Sequence, residues 1–156
     1  WNRFIRTWAR ADQWGFTLVE PGQLPASAEP GTLFRAISAL PNAEEFWPTA
    51  VAAFPDSGKL WFGHGNSLWK QGQQHKALEA FRTATEKAPD FAAAWNNRAY
   101  AEQALGNKKS ANDSICRAHA LAPGDQTIRD SVAELTGQSC SSSADAPSAE
   151  GCCAAN

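Results

Sequence analysis

Residues 58–91 read GKLWFGHGNSLWKQGQQHKALEAFRTATEKAPDF, and residues 92–125 read AAAWNNRAYAEQALGNKKSANDSICRAHALAPGD. Laid over one another at an offset of 34, Trp61 falls on Trp95, Gly65 on Ala99, Gly72 on Gly106 and Ala77 on Ala111. Phe81 then falls on Ile115, Ala84 on Ala118 and Pro89 on Pro123. A fixed period of roughly 20–50 residues marks repeated units that each bury an apolar face against the next.

The spacing resembles the tetratricopeptide repeat, whose pattern is W-x2-L-G-x2-Y, then A-x3-F, then P. That resemblance implies an all-α fold of antiparallel helix pairs stacked as a short array. Each matched position has a packing reason. Gly65/Ala99 and Ala77/Ala111 are small enough to let two backbones approach. Trp61, Leu68 and Trp69 supply bulk on the first helix, with Phe81 and Ala84 facing them from the second. Gly72 and Gly106 stand where the first helix must stop in a left-handed cap. Pro89 and Pro123 end the second helix. Asp90 and Asp125 follow those prolines and are positioned to cap the next helix.

Two slots depart from the pattern. The Leu slot holds His64 and Arg98, and the Tyr slot holds Leu68 and Glu102. His64 reads as a hydrogen-bonded structural residue, and Arg98 as a side chain that lays its stem on the core and keeps its head in water. These departures leave the tightness of the second pair open.

Upstream, Ala43, Trp47, Ala50 and Pro55 repeat the spacing of Ala77, Phe81, Ala84 and Pro89 one step earlier. Their partner helix is residues 31–40, with Phe34, Ile37 and Leu40 on one face. The Pro41-Asn42 link makes this pair compressed, and Pro48 gives its second helix a late start or a kink. Downstream, Ile128, Val132 and Leu135 have helical spacing and Gly137 is the stop, which describes a capping helix. The expected helices are 31–40, 43–54, 58–71, 74–87, 92–105, 108–121 and 126–136. Trp95→Ala is expected to cost about 3–5 kcal/mol if that indole is fully packed between pairs.

Outside the array, residues 1–28 read as the trailing edge of an upstream domain plus a linker, and residues 137–156 as a disordered cysteine-containing tail. Phe4, Trp8 and Ala11 share one side of a basic, aromatic helix candidate. Gly15 to Val19 is a strand candidate that needs a neighbour for its backbone groups. The basic stretch reads as packing on that upstream domain rather than as a membrane-surface helix. With Trp at position 1 and no Met, the sequence reads as part of a longer chain.

Phe4, Trp8, the run Trp14-Gly15-Phe16-Thr17-Leu18-Val19, Pro21-Gly22 and Leu24-Pro25-Ala26, followed by the helical pairs, resemble the C-terminal part of certain bacterial papain-fold cysteine peptidases. These are relatives of the double-glycine leader peptidases. The resemblance implies an exported, periplasmic or envelope-associated protein, whereas the repeat alone leaves a cytoplasmic one open. No position here corresponds to the catalytic Cys, His or Asp of that family.

Composition narrows the classes further. The 156 residues carry a formal net charge of −2, with 19% charged and 43% hydrophobic residues. Near-neutrality excludes a nucleic-acid binder with a broad basic face. No apolar run approaches the roughly 18 residues of a membrane helix. Cys140, Cys152 and Cys153 lie in the tail without a C-x-x-C pair or a nearby His, so no metal site is expected. Cys140 with Cys152 or Cys153 is a feasible disulfide in an oxidising compartment, set against free thiols. Cys116 and His119 sit three apart on one helix with no orienting third group, which argues against a nucleophile and base. The Phe62-Gly63-His64-Gly65-Asn66 stretch has phosphate-loop composition, but it lies mid-helix where its amides are already bonded.

The chain therefore reads as non-catalytic and without a cofactor. Its expected partner is a peptide or protein segment, or its own upstream domain, held on the concave face that the first helices build. The alternatives are an accessory region of a papain-fold peptidase and a purely structural repeat. On the first repeat the face carries Lys59, Phe62, Asn66 and Trp69 or Lys70; on the second it carries Asn96, Asn97, Tyr100 and Gln103. Asn offers both a donor and an acceptor to a peptide backbone, and Trp69 and Tyr100 offer flat apolar area. Asn66 and Asn97 resemble two members of the carboxylate clamp of chaperone-binding tetratricopeptide domains. The clamp's cations are unmatched, with Phe62, Thr127 and Ser131 in their slots, so an internal segment is the better ligand. The competing reading is that these polar residues only solvate the face.

Overall fold

The computed structural model describes residues 29–40 and 43–137. Among these residues seven α-helices follow one another: α1 Pro30–Ser38, α2 Trp47–Ala53, α3 Gly58–Lys70, α4 Gln74–Lys87, α5 Ala92–Ala104, α6 Lys108–Leu121 and α7 Gln126–Thr136. A 3-10 turn, Ala43–Glu45, precedes α2, and no strand occurs among the described residues. α2 starts late, with Pro48 in its first turn where a missing N–H costs nothing.

The helix ends repeat with the sequence. After α3, Gln73 N–H donates to Leu68 O at 3.0 Å and Gly72 N–H to Trp69 O at 3.0 Å. After α5, Asn107 N–H donates to Glu102 O at 2.9 Å and Gly106 N–H to Gln103 O at 3.0 Å. Both are Schellman caps, and they require Gly72 and Gly106 at φ 74° and 81°. The second helices stop differently. Phe54, Ala88 and Ala122 leave the helical region at φ −129°, −136° and −143°. Each precedes a proline, whose ring disfavours the α conformation in the residue before it.

Asp125 caps α7, its Oδ1 accepting from Ile128 N–H at 3.2 Å. Asp90 caps nothing, contrary to expectation. The N-cap of α5 is Phe91, one residue later, and no side chain bonds there. That position is held by packing, since the Phe91 ring meets Phe62 edge-on at 4.9 Å.

First helices touch in series, α1 to α3 to α5 to α7, and each second helix packs on the first helix that follows it. The core accordingly passes from pair to pair. Leu33, Ile37, Trp47, Ala50, Val51 and Leu60 join α1, α2 and α3. Leu68, Ala77, Leu78, Ala80, Phe81 and Ala101 join α3, α4 and α5. Ala99, Ile115, Ala118, Ile128 and Val132 join α5, α6 and α7. No pair closes a core alone, so α7 is needed to cover α5 and α6. The compressed first pair is held mainly through α3, on which both α1 and α2 pack.

Small residues serve the array in a more particular way than backbone approach alone. A Cβ at Gly65 would lie 2.6 Å from the Phe81 ring, and one at Gly63 would lie 2.3 Å from the Trp47 ring. The second repeat exchanges Gly65 and Phe81 for Ala99 and Ile115, both buried, trading volume across the same interface.

The second pair is as well tied as the first, and Arg98 is not snorkelled. Its Nε donates to Glu102 Oε1 at 3.0 Å, and its Nη1 donates to Thr85 Oγ1 at 3.1 Å. Glu102 is fully buried and also accepts from Ser114 Oγ at 2.6 Å. A buried carboxylate with an ion pair and a hydroxyl donor recovers much of what desolvation costs it. The Arg98 guanidinium lies 5.0 Å from the Trp95 ring centroid. His64 is also not hydrogen-bonded as read, for its Nδ1 is buried without a partner.

Candidate functional site

Repeated first helices at a fixed step bring equivalent faces into one row. Lys59, Phe62, Asn66, Trp69 and Lys70 come from α3, and Asn96, Asn97, Tyr100 and Gln103 from α5. Their fates differ. Lys59 and Lys70 are exposed. Phe62 is half-buried and committed to packing, with ring centroids 6.3 Å from Phe34, 6.2 Å from Phe81 and 4.9 Å from Phe91. Trp69 lies partly buried against the core of the first full repeat. Gln103 is half-buried.

The asparagines form a directed chain across the repeat boundary. Asn96 Nδ2 donates to Asn97 Oδ1 at 3.3 Å, and Asn97 Nδ2 donates to Asn66 Oδ1 at 2.7 Å. Asn96 is 8% exposed, and its Oδ1 is buried with no donor. An unpaired buried amide oxygen costs on the order of 1–3 kcal/mol.

Advancing Asn66 and Asn97 by one repeat gives Tyr100 and Ser131, and those two also meet. Ser131 lies within hydrogen-bonding reach of the phenol, and Tyr100 Oη donates to Glu134 Oε2 at 2.5 Å. Burial pushes the phenol upward, and the Glu134 bond with the nearby charges of Glu134 and Asp130 pushes it further, so it stays a donor. Polar links thus run α3–α5 and α5–α7 along one face. Sequence reasoning placed Asn66, Asn97 and Tyr100 in this row but missed Asp130 and Glu134 on α7. Counting on by one repeat from Asn96 and Tyr100 would have found them.

The phosphate-loop composition around His64 is packing, since Gly63 and Gly65 lie inside α3 with rings against them. Cys116 is disulfide-bonded, so its sulfur is not a free thiol beside His119. No cluster of three or more His, Cys, Asp or Glu suited to a metal occurs among the described residues. Among the same residues no helix is long and apolar enough to cross a membrane. The helix and strand candidates before residue 29 and the tail cysteines lie outside the described residues.

No protein-family model matches the chain. It is 30% identical over 122 residues to the human protein O-mannosyl-transferase TMTC1, covering 70% of this chain and 14% of that protein. It is 28% identical over 109 residues to protein FlbA of Caulobacter vibrioides, covering 70% of this chain and 18% of that protein. The chain therefore spans less than a fifth of the length of these curated relatives. A structure of MamA matches with TM-score 0.60 at 17% identity, covering 70% of this chain and 67% of that one. A MamA RS-1 double mutant matches with TM-score 0.63 at 19% identity, covering 86% and 71%. The TPR2B domain of yeast Sti1, in complex with pHsp70, matches with TM-score 0.52 at 21% identity, covering 69% and 86%. The fold is that of a tetratricopeptide-type helical repeat. The likeness to cysteine peptidases finds no support in these relatives.

Proposed function

We propose that the chain is a non-catalytic peptide-binding module that holds an internal, extended segment of a partner protein on its concave face. The observation that carries this reading is the Asn96–Asn97–Asn66 chain across α3 and α5. Its acceptor end is the unpaired Asn96 Oδ1, and its donor end is the Asn66 amide. A peptide group presents the complementary N–H and C=O whatever its side chains. The complex of the Sti1 domain, which has the same fold, with pHsp70 supports a protein ligand. The unmatched cations of the carboxylate clamp favour an internal segment over a C-terminus. The disulfide on Cys116 supports an oxidising compartment such as a periplasm.

The test is a peptide selected on the chain from a random display library and then titrated against Asn66→Ala/Asn97→Ala. Affinity at least tenfold weaker, with helicity and melting close to wild type, is the expected result. Unchanged affinity in a folded variant would leave the concave face without a role.

A further inference from the structure

Among the described residues α7 is a first helix without its second. Counting on by one repeat, Gly65 and Ala99 lead to Ala133, and Glu102 leads to Thr136. On α3 and α5 those slots meet the second helix of their own pair, with Gly65 against the Phe81 ring and Glu102 bonded to Ser114. On α7 the same face meets no further helix among the described residues, and Ala133 is exposed. A slot kept small for the approach of another backbone is open here.

Cys116 borders that open face. One repeat earlier, Leu78 and Thr85 are the α4 residues that turn toward α5, Leu78 sharing a core with Ala101 and Thr85 bonded to Arg98. Their counterparts on α6 are Asn112 and His119, so this side of α6 turns toward α7. Cys116 stands one turn from each and shares that side. Its sulfur is disulfide-bonded, and the other cysteines of the chain are Cys140, Cys152 and Cys153. The bond therefore runs from the edge of the open face to a residue beyond Gly137. Cys152 and Cys153 are poor partners for one another, because adjacent Cα atoms stand about 3.8 Å apart and a relaxed disulfide needs about 4.4–6.8 Å. All four sulfurs of this chain pair without that strain only if Cys116 takes Cys152 or Cys153 and Cys140 takes the other. The stretch from Gly137 to Cys152 is long enough to cross the roughly 8–10 Å between packed helices.

We infer that Cys116 is bonded to Cys152 or Cys153, and that residues 138–151 are thereby strapped across the α7 face that carries Ala133. The strap takes the place of a following second helix and shuts that end of the array to a helix from another chain. As the bond forms, the two cysteine thiols give up two protons and two electrons. The disulfide of a thiol–disulfide oxidoreductase takes them and leaves as a dithiol. A reducing dithiol reverses the step through a mixed disulfide, becoming a disulfide itself and returning both cysteines to thiols. The end cap is thus set by redox state. It does not depend on peptide binding at the concave face.

The experiment uses the full 156-residue chain, purified as a monomer without reductant, with free thiols blocked by N-ethylmaleimide. Trypsin and a glutamyl endopeptidase together release Cys116 in peptide 110–117, Cys140 in 135–150, and Cys152 with Cys153 in 151–156. Mass spectrometry is expected to find one species joining all three peptides, which separates on reduction. Cys116 found blocked, or joined to 135–150 with 151–156 separate, would overturn the pairing. Hydrogen exchange then reads the strap. Amides across 126–136 should exchange about tenfold faster once dithiothreitol is added, while those of α3 and α4 keep their rates. Cys152→Ser/Cys153→Ser should show the faster exchange with or without dithiothreitol. Joined peptides with α7 exchange unchanged by reduction would overturn the strap over Ala133.

Discussion

The indole N–H of Trp95 donates to the carbonyl oxygen of Pro89 at 3.0 Å, and one repeat earlier Trp61 makes the same bond to Pro55 at 2.8 Å. The tryptophan of each full repeat therefore clasps the turn that ends the preceding second helix. Proline cannot donate, but its carbonyl is free to accept once the helix has stopped. Trp and Pro, distant in the repeat pattern, are one device that sets the entry angle of each pair.

Trp95 is partly exposed rather than fully packed, so the larger part of the 3–5 kcal/mol range for deleting a packed aromatic does not apply. Trp95→Ala is expected to cost about 3 kcal/mol. Trp95→Phe, which removes chiefly the bond to Pro89, should cost about 1 kcal/mol. Urea midpoints at an unchanged m-value separate the two, and equal losses for both variants would show that the bond is the whole effect.

Gly65→Ala forces a methyl to within 2.6 Å of the Phe81 ring. Despite a helix-propensity gain of about 1 kcal/mol, the variant is expected to lose about 1–2 kcal/mol net through overpacking. Adding Phe81→Ile recreates the Ala99 and Ile115 pair of the second repeat and should recover part of that loss. A double variant less stable than either single one would count against the traded-volume reading.

Glu102→Ala leaves Arg98 facing a cavity and is expected to cost about 3–5 kcal/mol, the usual scale for breaking a buried ion pair. Arg98→Leu with Glu102→Leu removes both charges and should cost less than Glu102→Ala alone. A double-mutant cycle reads the coupling, and strict additivity would deny that the pair acts as a unit.

His64 titrates below its ordinary value because burial disfavours the charged ring, and its Nδ1 has no partner. The unfolded chain then binds the proton more readily than the folded one, so stability rises with pH through this window. Lowering the pH from about 6.5 toward the depressed folded value is expected to lower the melting temperature. In His64→Leu, which restores the residue of the repeat pattern, that part of the slope should vanish. A slope identical to wild type would assign the acid sensitivity to other groups.

The repeat is legible in the sequence alone, because its carriers are local. Gly72 and Gly106 mark left-handed caps that few other residues tolerate, Pro89 and Pro123 mark helix ends, and both signals act within a turn of their own position. The helix bounds from residue 58 to 136 follow almost to the residue. The misreadings concern partners that come from another helix. Arg98 and Glu102 stand four apart, a spacing that announces a helical ion pair, yet their burial depends on Thr85 and Ser114 arriving from α4 and α6. Asp90 was a cap by sequence until the Phe91 ring found Phe62 and claimed the N-cap position. Phe62 looked open on the face until Phe34, Phe81 and Phe91 closed on it. Periodicity dictates which way a side chain leaves its own helix. What meets it there is decided by the stacking of neighbouring pairs, and in this chain that stacking also joined Asn66 to Asn97 and Tyr100 to Glu134.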